Sequence, residues 1–270
     1  MVKQEASSYT EVNMDRFDSL DALVAESKKK FHMLIKFGTL ENLERFQGGS
    51  LYMKNLRFYN ELEYESGNGK PDKYDGKWRM NGGQFTLIDP NTSAIVASGT
   101  AKETVFSFGY EKYPVFCLFC CDERNCGEYR VDRNACVIPV SFSGEQVQKL
   151  KTGLGAYALI ILDTDEFLMR VNKAFCRENI SYINCVSYNQ GNCIERVNSI
   201  LSNRDNIAFN KDAADFSYQQ EFRLLVTNRP VEDHLSISIG DIHDISKIVP
   251  TDELLQYRIE LRQDFTQIDG

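Results

Sequence analysis

Basic residues are in deficit in this sequence: 31 lysines and arginines face 39 aspartates and glutamates, a net charge of −8. That balance excludes a broad cationic surface gripping nucleic acid without regard to sequence, although it leaves room for a local basic pocket. No run of roughly 18 apolar residues occurs, so no membrane-spanning helix is expected. The first thirty residues lack the apolar core of a secretory signal, which places the chain in the cytoplasm as an expectation. The phosphate loop Gly-x4-Gly-Lys-Ser/Thr, the dinucleotide Gly-x-Gly-x-x-Gly, the Gly-x-Ser-x-Gly elbow and the His-Glu-x-x-His zinc motif are all missing. Only three histidines occur, at 32, 234 and 243, and none has metal-ligand spacing to another.

Cysteine is not scarce. Among the eight, Cys117 and Cys120 form a Cys-x-x-Cys within VFCLFCC, but strand-like hydrophobics surround them and no second matched pair follows. Reduced core cysteines, with no metal, are the better reading.

The periodicity predicts an α+β fold with mostly antiparallel strands and few helices. Residues 1–30 read as a polar extension, with SLDALVAESKKK as an amphipathic helix, and 31–270 as a single domain. FHMLIKFG reads as a buried strand. Thr39 then caps a helix, LENLERFQ, stopped by Gly48-Gly49. SLYMKNLRFYN follows as a strand and a turn. Gly67 to Gly83 reads as a long loop, and QFTLIDPNTSAIVASG as a hairpin around Asp89-Pro90-Asn91. TVFSFGY, VFCLFCC, ACVIPVSF and ALIILD are further strands. Asp163 and Glu166 have capping-box spacing at the head of a helix, and YINCVSYN, EFRLLVTN, LSISIG and ISKIVP complete a strand-rich second half.

Three stretches stand out as candidates for chemistry. LIKFGT runs a strand into a Gly-Thr turn, where Gly38 lets a ligand approach the backbone. GGSLYMKNLRFYNELE carries Tyr52 on a strand and Tyr59 seven residues on, a separation that suits bracketing a planar ring. SYQQEFRLLV starts a core strand with Gln219, Gln220 and Glu221. Taken singly, the tyrosines also read as half-buried strand residues, and Glu221 with Arg223 as a charge pair on a solvent face.

In this order the three stretches resemble the motifs of the ADP-ribosyltransferase family of diphtheria-type toxins and poly(ADP-ribose) polymerases. The matched motifs cover about thirty residues, spread from Ile35 to Val226. Lys36-Phe37-Gly38-Thr39 stands where the family has Tyr-His-Gly-Thr/Ser, SLYM with RFYN matches its tyrosine segment, and QQEF its glutamate strand, Gln219 also fitting a Gln-x-Glu variant. The resemblance implies a split antiparallel sheet and NAD as substrate. It gives Glu221 the role of stabilising the oxocarbenium-like ribose and Gln219 that of orienting the acceptor or the loop before it. Tyr52 and Tyr59 would stack on nicotinamide, the Gly38 backbone would hold the carboxamide, and Lys36 or Arg57 would meet the pyrophosphate. Phe37 replaces the family's histidine, with Lys36 or Thr39 as substitutes for it.

The implied activity is mono-ADP-ribosylation of a macromolecule, nucleic acid or protein with a slight lean to RNA or DNA, by a toxin or antiphage effector under an antitoxin or regulatory partner. The alternatives are an NAD glycohydrolase and a degenerate nucleotide- or protein-binding module. The basic and aromatic stretch KPDKYDGKWR, with Tyr74 and Trp78, is the candidate acceptor contact, since such residues stack single-stranded bases. Glu221→Gln is expected to abolish nicotinamide release and leave the fold nearly as stable.

Overall fold

Met33–Gly38 (β1) alternates apolar side chains between the two faces of a sheet and is buried on both, which is why it reads as a near-continuous apolar run. The computed structural model describes residues 33–61, 72–132, 135–177, 182–189, 193–254, 256–257 and 259–264. The N-terminal helix expected from SLDALVAESKKK lies outside them.

After β1, Thr39 caps α1 (Leu40–Gln47), its hydroxyl accepting from the Asn42 N–H at 3.4 Å. Leu43 and Phe46 turn inward from α1. The Gly48 N–H bonds the Glu44 carbonyl at 2.9 Å, and Gly49 follows in the left-handed region at φ 94°. A Cβ on Gly49 would sit 2.1 Å from the Gly240 carbonyl oxygen. Gly49→Ala therefore meets both a conformational and a steric penalty, and is expected to lower the unfolding free energy by about 2–4 kcal/mol in urea titration.

β2 (Ser50–Asn55) leads into α2 (Leu56–Glu61), where the sequence suggests a turn. The reason is a cap: the Asn55 side-chain oxygen accepts from the Phe58 N–H at 3.0 Å. β3 (Lys77–Asn81) pairs with β6 (Glu103–Ser107), so the expected long loop contains a strand. Between them β4 (Gln84–Ile88) and β5 (Ile95–Thr100) form the expected hairpin. Then come β7 (Pro114–Cys121), β8 (Arg130–Asp132), β9 (Ala135–Val140), α3 (Gly144–Gly153) and β10 (Tyr157–Ile161). α4 (Thr164–Arg177) starts from the expected cap, Asp163 accepting from the Glu166 N–H at 2.9 Å. β11 (Tyr182–Cys185), β12 (Ser187–Asn189), α5 (Ile194–Ser202), β13 (Asn210–Asp212), β14 (Glu221–Leu225), β15 (His234–Ser238), β16 (Ser246–Pro250) and β17 (Ile259–Asp264) follow.

The fold is α+β with mostly antiparallel strands; of the described ladders, β12–β13 is parallel. Two compact units are distinguished. The smaller contains the antiparallel sheet β17-β9-β8, and the larger contains β1–β7 and β10–β16 with the helices. No helix among the described residues is long and apolar enough to cross a membrane.

The larger unit is built on the order β11-β14-β7-β1-β10-β16, with β2 on β7 and β15 on β2. β7 is the pivot. Along one edge, Val115 to Phe119 pair with β14. The other edge is divided: β1 takes Phe119 to Cys121 and β2 takes Pro114 and Val115. The stretch Phe116, Cys117 and Leu118 lies between these two partners, so the sheet divides there.

Register then fixes the faces, because directly paired antiparallel residues share one. Leu34, Leu51, Met53, Phe116, Leu118, Phe222 and Leu224 share the face covered by the main core, with Phe167 and Phe175 of α4. Ile35, Phe37, Tyr52, Lys54, Cys117, Phe119, Glu221 and Arg223 share the other. Cys117 and Cys120, three apart on a strand, point to opposite faces and cannot both reach one metal ion.

Candidate active site

β14 begins from an unusual backbone. Gln220 is a non-glycine residue in the left-handed region, at φ 40° and ψ 52°. Its side-chain amide donates to the Cys120 carbonyl at 3.1 Å and accepts from Gln146, and its own carbonyl accepts from the Cys120 N–H at 2.7 Å. These buried bonds hold a conformation that costs about 1–3 kcal/mol. The next residue, Glu221, is thereby aimed across the second face, and its N–H is bound by the Tyr188 hydroxyl oxygen at 2.8 Å.

Glu221 sits in a cluster of four charges. Its Oε1 accepts from Lys211 Nζ at 2.6 Å and its Oε2 from Arg223 Nε at 2.7 Å. Arg223 forms a bidentate fork on Asp75 at 2.7 and 2.6 Å, and also bonds the Ala208 carbonyl at 2.6 Å. Lys211 Nζ lies 3.6 Å from Asp75 and donates to the Gln219 side-chain oxygen at 3.0 Å. Side-chain exposure is 1% for Arg223, 2% for Asp75, 6% for Lys211 and 11% for Glu221. Two cations and two carboxylates balance, and nearly every polar atom has a partner. A buried charge cluster requires both conditions.

Electrostatics follow from this packing. Burial alone would push the Glu221 carboxyl up, but Arg223 and Lys211 outweigh it and hold the group well below the ordinary carboxylate range. Burial works against the Lys211 charge, and Glu221 and Asp75 more than offset it. Cys117, half-buried on the same face, has its thiol pushed up to about 12 by burial and the Glu221 charge, away from the range of activated thiols. Asp72 is pushed up to about 6 by burial and by Asp75.

The other residues singled out in the sequence lie as follows. Phe37 shares the face of Glu221 and packs edge-on to Phe119, their rings 6.0 Å apart. Tyr52 also shares that face and is 41% exposed, stacked on His234 at 4.6 Å with Lys54 at 5.7 Å from its ring. Tyr59 is on α2, packed in the cluster of Leu56, Tyr110, Val115 and Phe209, and burial raises its hydroxyl pKa. The two tyrosines thus have separate surroundings, one exposed and one half-buried, because a helix rather than a turn carries the second.

Gly38 ends β1. The backbone packed closely against it is that of Gly155, whose Cβ, if present, would fall 2.6 Å from the Gly38 oxygen. The Thr39 hydroxyl is committed to the α1 cap. Lys36 lies on the opposite face, beside the sheet division. Its Nζ donates to the Cys117 carbonyl at 2.7 Å, 4.5 Å from the centre of the Phe116 ring, and burial lowers its pKa. Arg57 pairs with Glu232 at 3.1 Å.

In the expected acceptor stretch, Trp78 stacks on Phe106 at 5.2 Å and the Tyr74 hydroxyl donates to Glu103 at 2.9 Å. Lys211, Asp75 and Tyr188 were missed in the sequence. NKDAADF and KYDGKW carry no motif that distinguishes a buried lysine or aspartate from a solvated one.

No family model, curated protein or solved structure matches the chain.

Proposed function

We propose that the chain is an NAD-dependent mono-ADP-ribosyltransferase that modifies a macromolecule, nucleic acid in preference to protein. It would act in the cytoplasm as a toxin or antiphage effector held in check by an antitoxin or regulatory partner. The observation that carries this reading is the register. It brings Phe37, Tyr52 and Glu221, from three stretches spread over the chain, onto one face of a sheet that divides between β1 and β2. The split sheet of the ADP-ribosyltransferase fold is proposed on the same ground.

In this reading the bond between nicotinamide and ribose breaks with its electron pair leaving on nicotinamide, and positive charge develops on the ribose. Glu221, kept ionised by Lys211 and Arg223, opposes that charge and accepts from the ribose 2′-hydroxyl. The exposed Tyr52 ring supplies a stacking face for nicotinamide. Gln219, tied to the same Lys211 as Glu221, orients the attacking acceptor.

Nicotinamide release from NAD, assayed with RNA, DNA, protein or water as acceptor, tests the proposal. Tyr52→Ala should cut release at least about tenfold while changing stability by no more than about 0.5 kcal/mol, since the ring is largely outside the core. Release with water alone would identify an NAD glycohydrolase. One observation favours a second reading, a degenerate nucleotide- or protein-binding module: both Glu221 oxygens already have cationic partners, and Phe37 occupies the position of the family's histidine. NAD binding without release under any acceptor condition would select it, and absence of both would overturn the enzyme.

A further inference from the structure

A cavity of about 460 Å³ opens beside α2, within the size range of small-ligand sites. Arg57 on α2, Lys73, Lys77 on β3 and Lys112 line it, together with the carboxylates of Glu61 and Glu111. Four cations against these two carboxylates and that of Glu232, which bonds Arg57 and Lys112, leave a local surplus of one positive charge on a chain whose net charge is −8.

Arg57 and Lys112 already converge on a single oxyanion. Each takes one oxygen of Glu232, whose side chain is 74% exposed and so is readily displaced. Lys73 lies 4.9 Å from the centre of the Tyr74 ring, and Lys77 acts on Glu111 only through its field. A second, independent feature lies in the same wall. Both polar atoms of the Asn60 side chain are buried with no hydrogen-bond partner among the described residues. An unpaired buried amide costs about 1–3 kcal/mol and calls for an explanation, of which a ligand is one.

We infer that this cavity is a binding site for a phosphorylated small molecule of nucleotide size. Arg57, Lys73, Lys77 and Lys112 take the phosphate oxygens, and the Asn60 amide, whose polar atoms are closed off from the cavity until the side chain turns, pairs with a polar edge of the attached group. No residue of the Glu221 cluster lines this cavity, and the inference does not rest on ADP-ribosyl transfer.

Titration calorimetry of the full chain with ADP, inorganic pyrophosphate and adenosine tests it. ADP should bind and adenosine should not, and the double variant Lys73→Ala/Lys77→Ala should raise the ADP dissociation constant at least about tenfold, the loss of one or more charge-assisted bonds. Asn60→Leu should weaken ADP in the same assay yet leave the melting temperature unchanged or higher, a combination that a purely structural asparagine would not give. Pyrophosphate binding as tightly as ADP, with Asn60→Leu unable to weaken it, would keep the phosphate site and remove the role of Asn60. No binding of ADP or pyrophosphate, or ADP binding untouched by the double lysine variant, would overturn the site. Loss of ADP binding in Tyr52→Ala with the lysine variant unaffected would move the ligand to the Glu221 face and overturn it equally.

Discussion

Arg223→Met is expected to lower the free energy of unfolding by about 3–5 kcal/mol, read as a shift of the urea midpoint at unchanged slope. Arg223 is 1% exposed and is the hub of its cluster, holding both oxygens of Asp75, one oxygen of Glu221 and the Ala208 carbonyl. Methionine fills much of the same volume, so the loss is not chiefly one of packing. It comes from two carboxylates left in a dry site with only Lys211 between them. Asp75→Asn combined with Arg223→Met should cost less than the two single changes added together, because each removes the other's unpaired charge. A loss below about 1 kcal/mol for Arg223→Met would mean that water reaches the cluster freely and that its burial has no energetic consequence.

The same cluster makes stability depend on acid. The folded Glu221 carboxyl titrates below its unfolded value of about 4.3. Its contribution is therefore fully present above that pH and is lost as pH falls through the folded value. Acid unfolding that begins below about pH 4 should be shallower in Arg223→Met, where the depression is relieved.

Glu221→Gln is expected to act on both stability and chemistry. An amide can still accept from Lys211, but its NH2 group meets the Nε–H of Arg223, donor against donor, and the cluster carries one uncompensated positive charge. A stability loss of about 2–4 kcal/mol follows. Sequence alone suggests that this change leaves stability nearly intact; a side chain only 11% exposed and bonded on both oxygens is the reason to expect the larger loss. If the chain transfers ADP-ribose, nicotinamide release should also fall by about a hundredfold or more, since the charge opposing the oxocarbenium ion is gone. The two effects separate by experiment: release is measured well below the melting temperature, with circular dichroism confirming the fold, and compared with Tyr52→Ala. A Glu221→Gln protein that is folded and as active as the parent would remove Glu221 from the mechanism.

What was legible in the sequence was local. The Thr39 cap, the Leu43 and Phe46 stripe, the Gly48-Gly49 stop, the Asp163 cap and the hairpin around Asp89 each follow from contacts within a few residues. The alternation of side chains along a strand is local too, so the stretches carrying Phe37, Tyr52 and Glu221 were found as strands or strand starts. α2 was missed although its cap, Asn55, stands in the sequence, because the apolar alternation of LYMKN continues into LRFYN and hides the change of period.

The sequence by itself determined the α+β class, most of the strands and which residues alternate, because strand and helix periodicity and capping are short-range. Only the tertiary structure decided which strands pair on β7, and with that which residues share a face. It also decided that Lys36 is half-buried, with its ammonium bonded to the Cys117 carbonyl. Asp75 and Arg223 are 148 residues apart and Lys36 and Cys117 81 apart. No local pattern marks such pairs, because whether a charge is solvated or buried with a partner depends on what the distant chain brings to it.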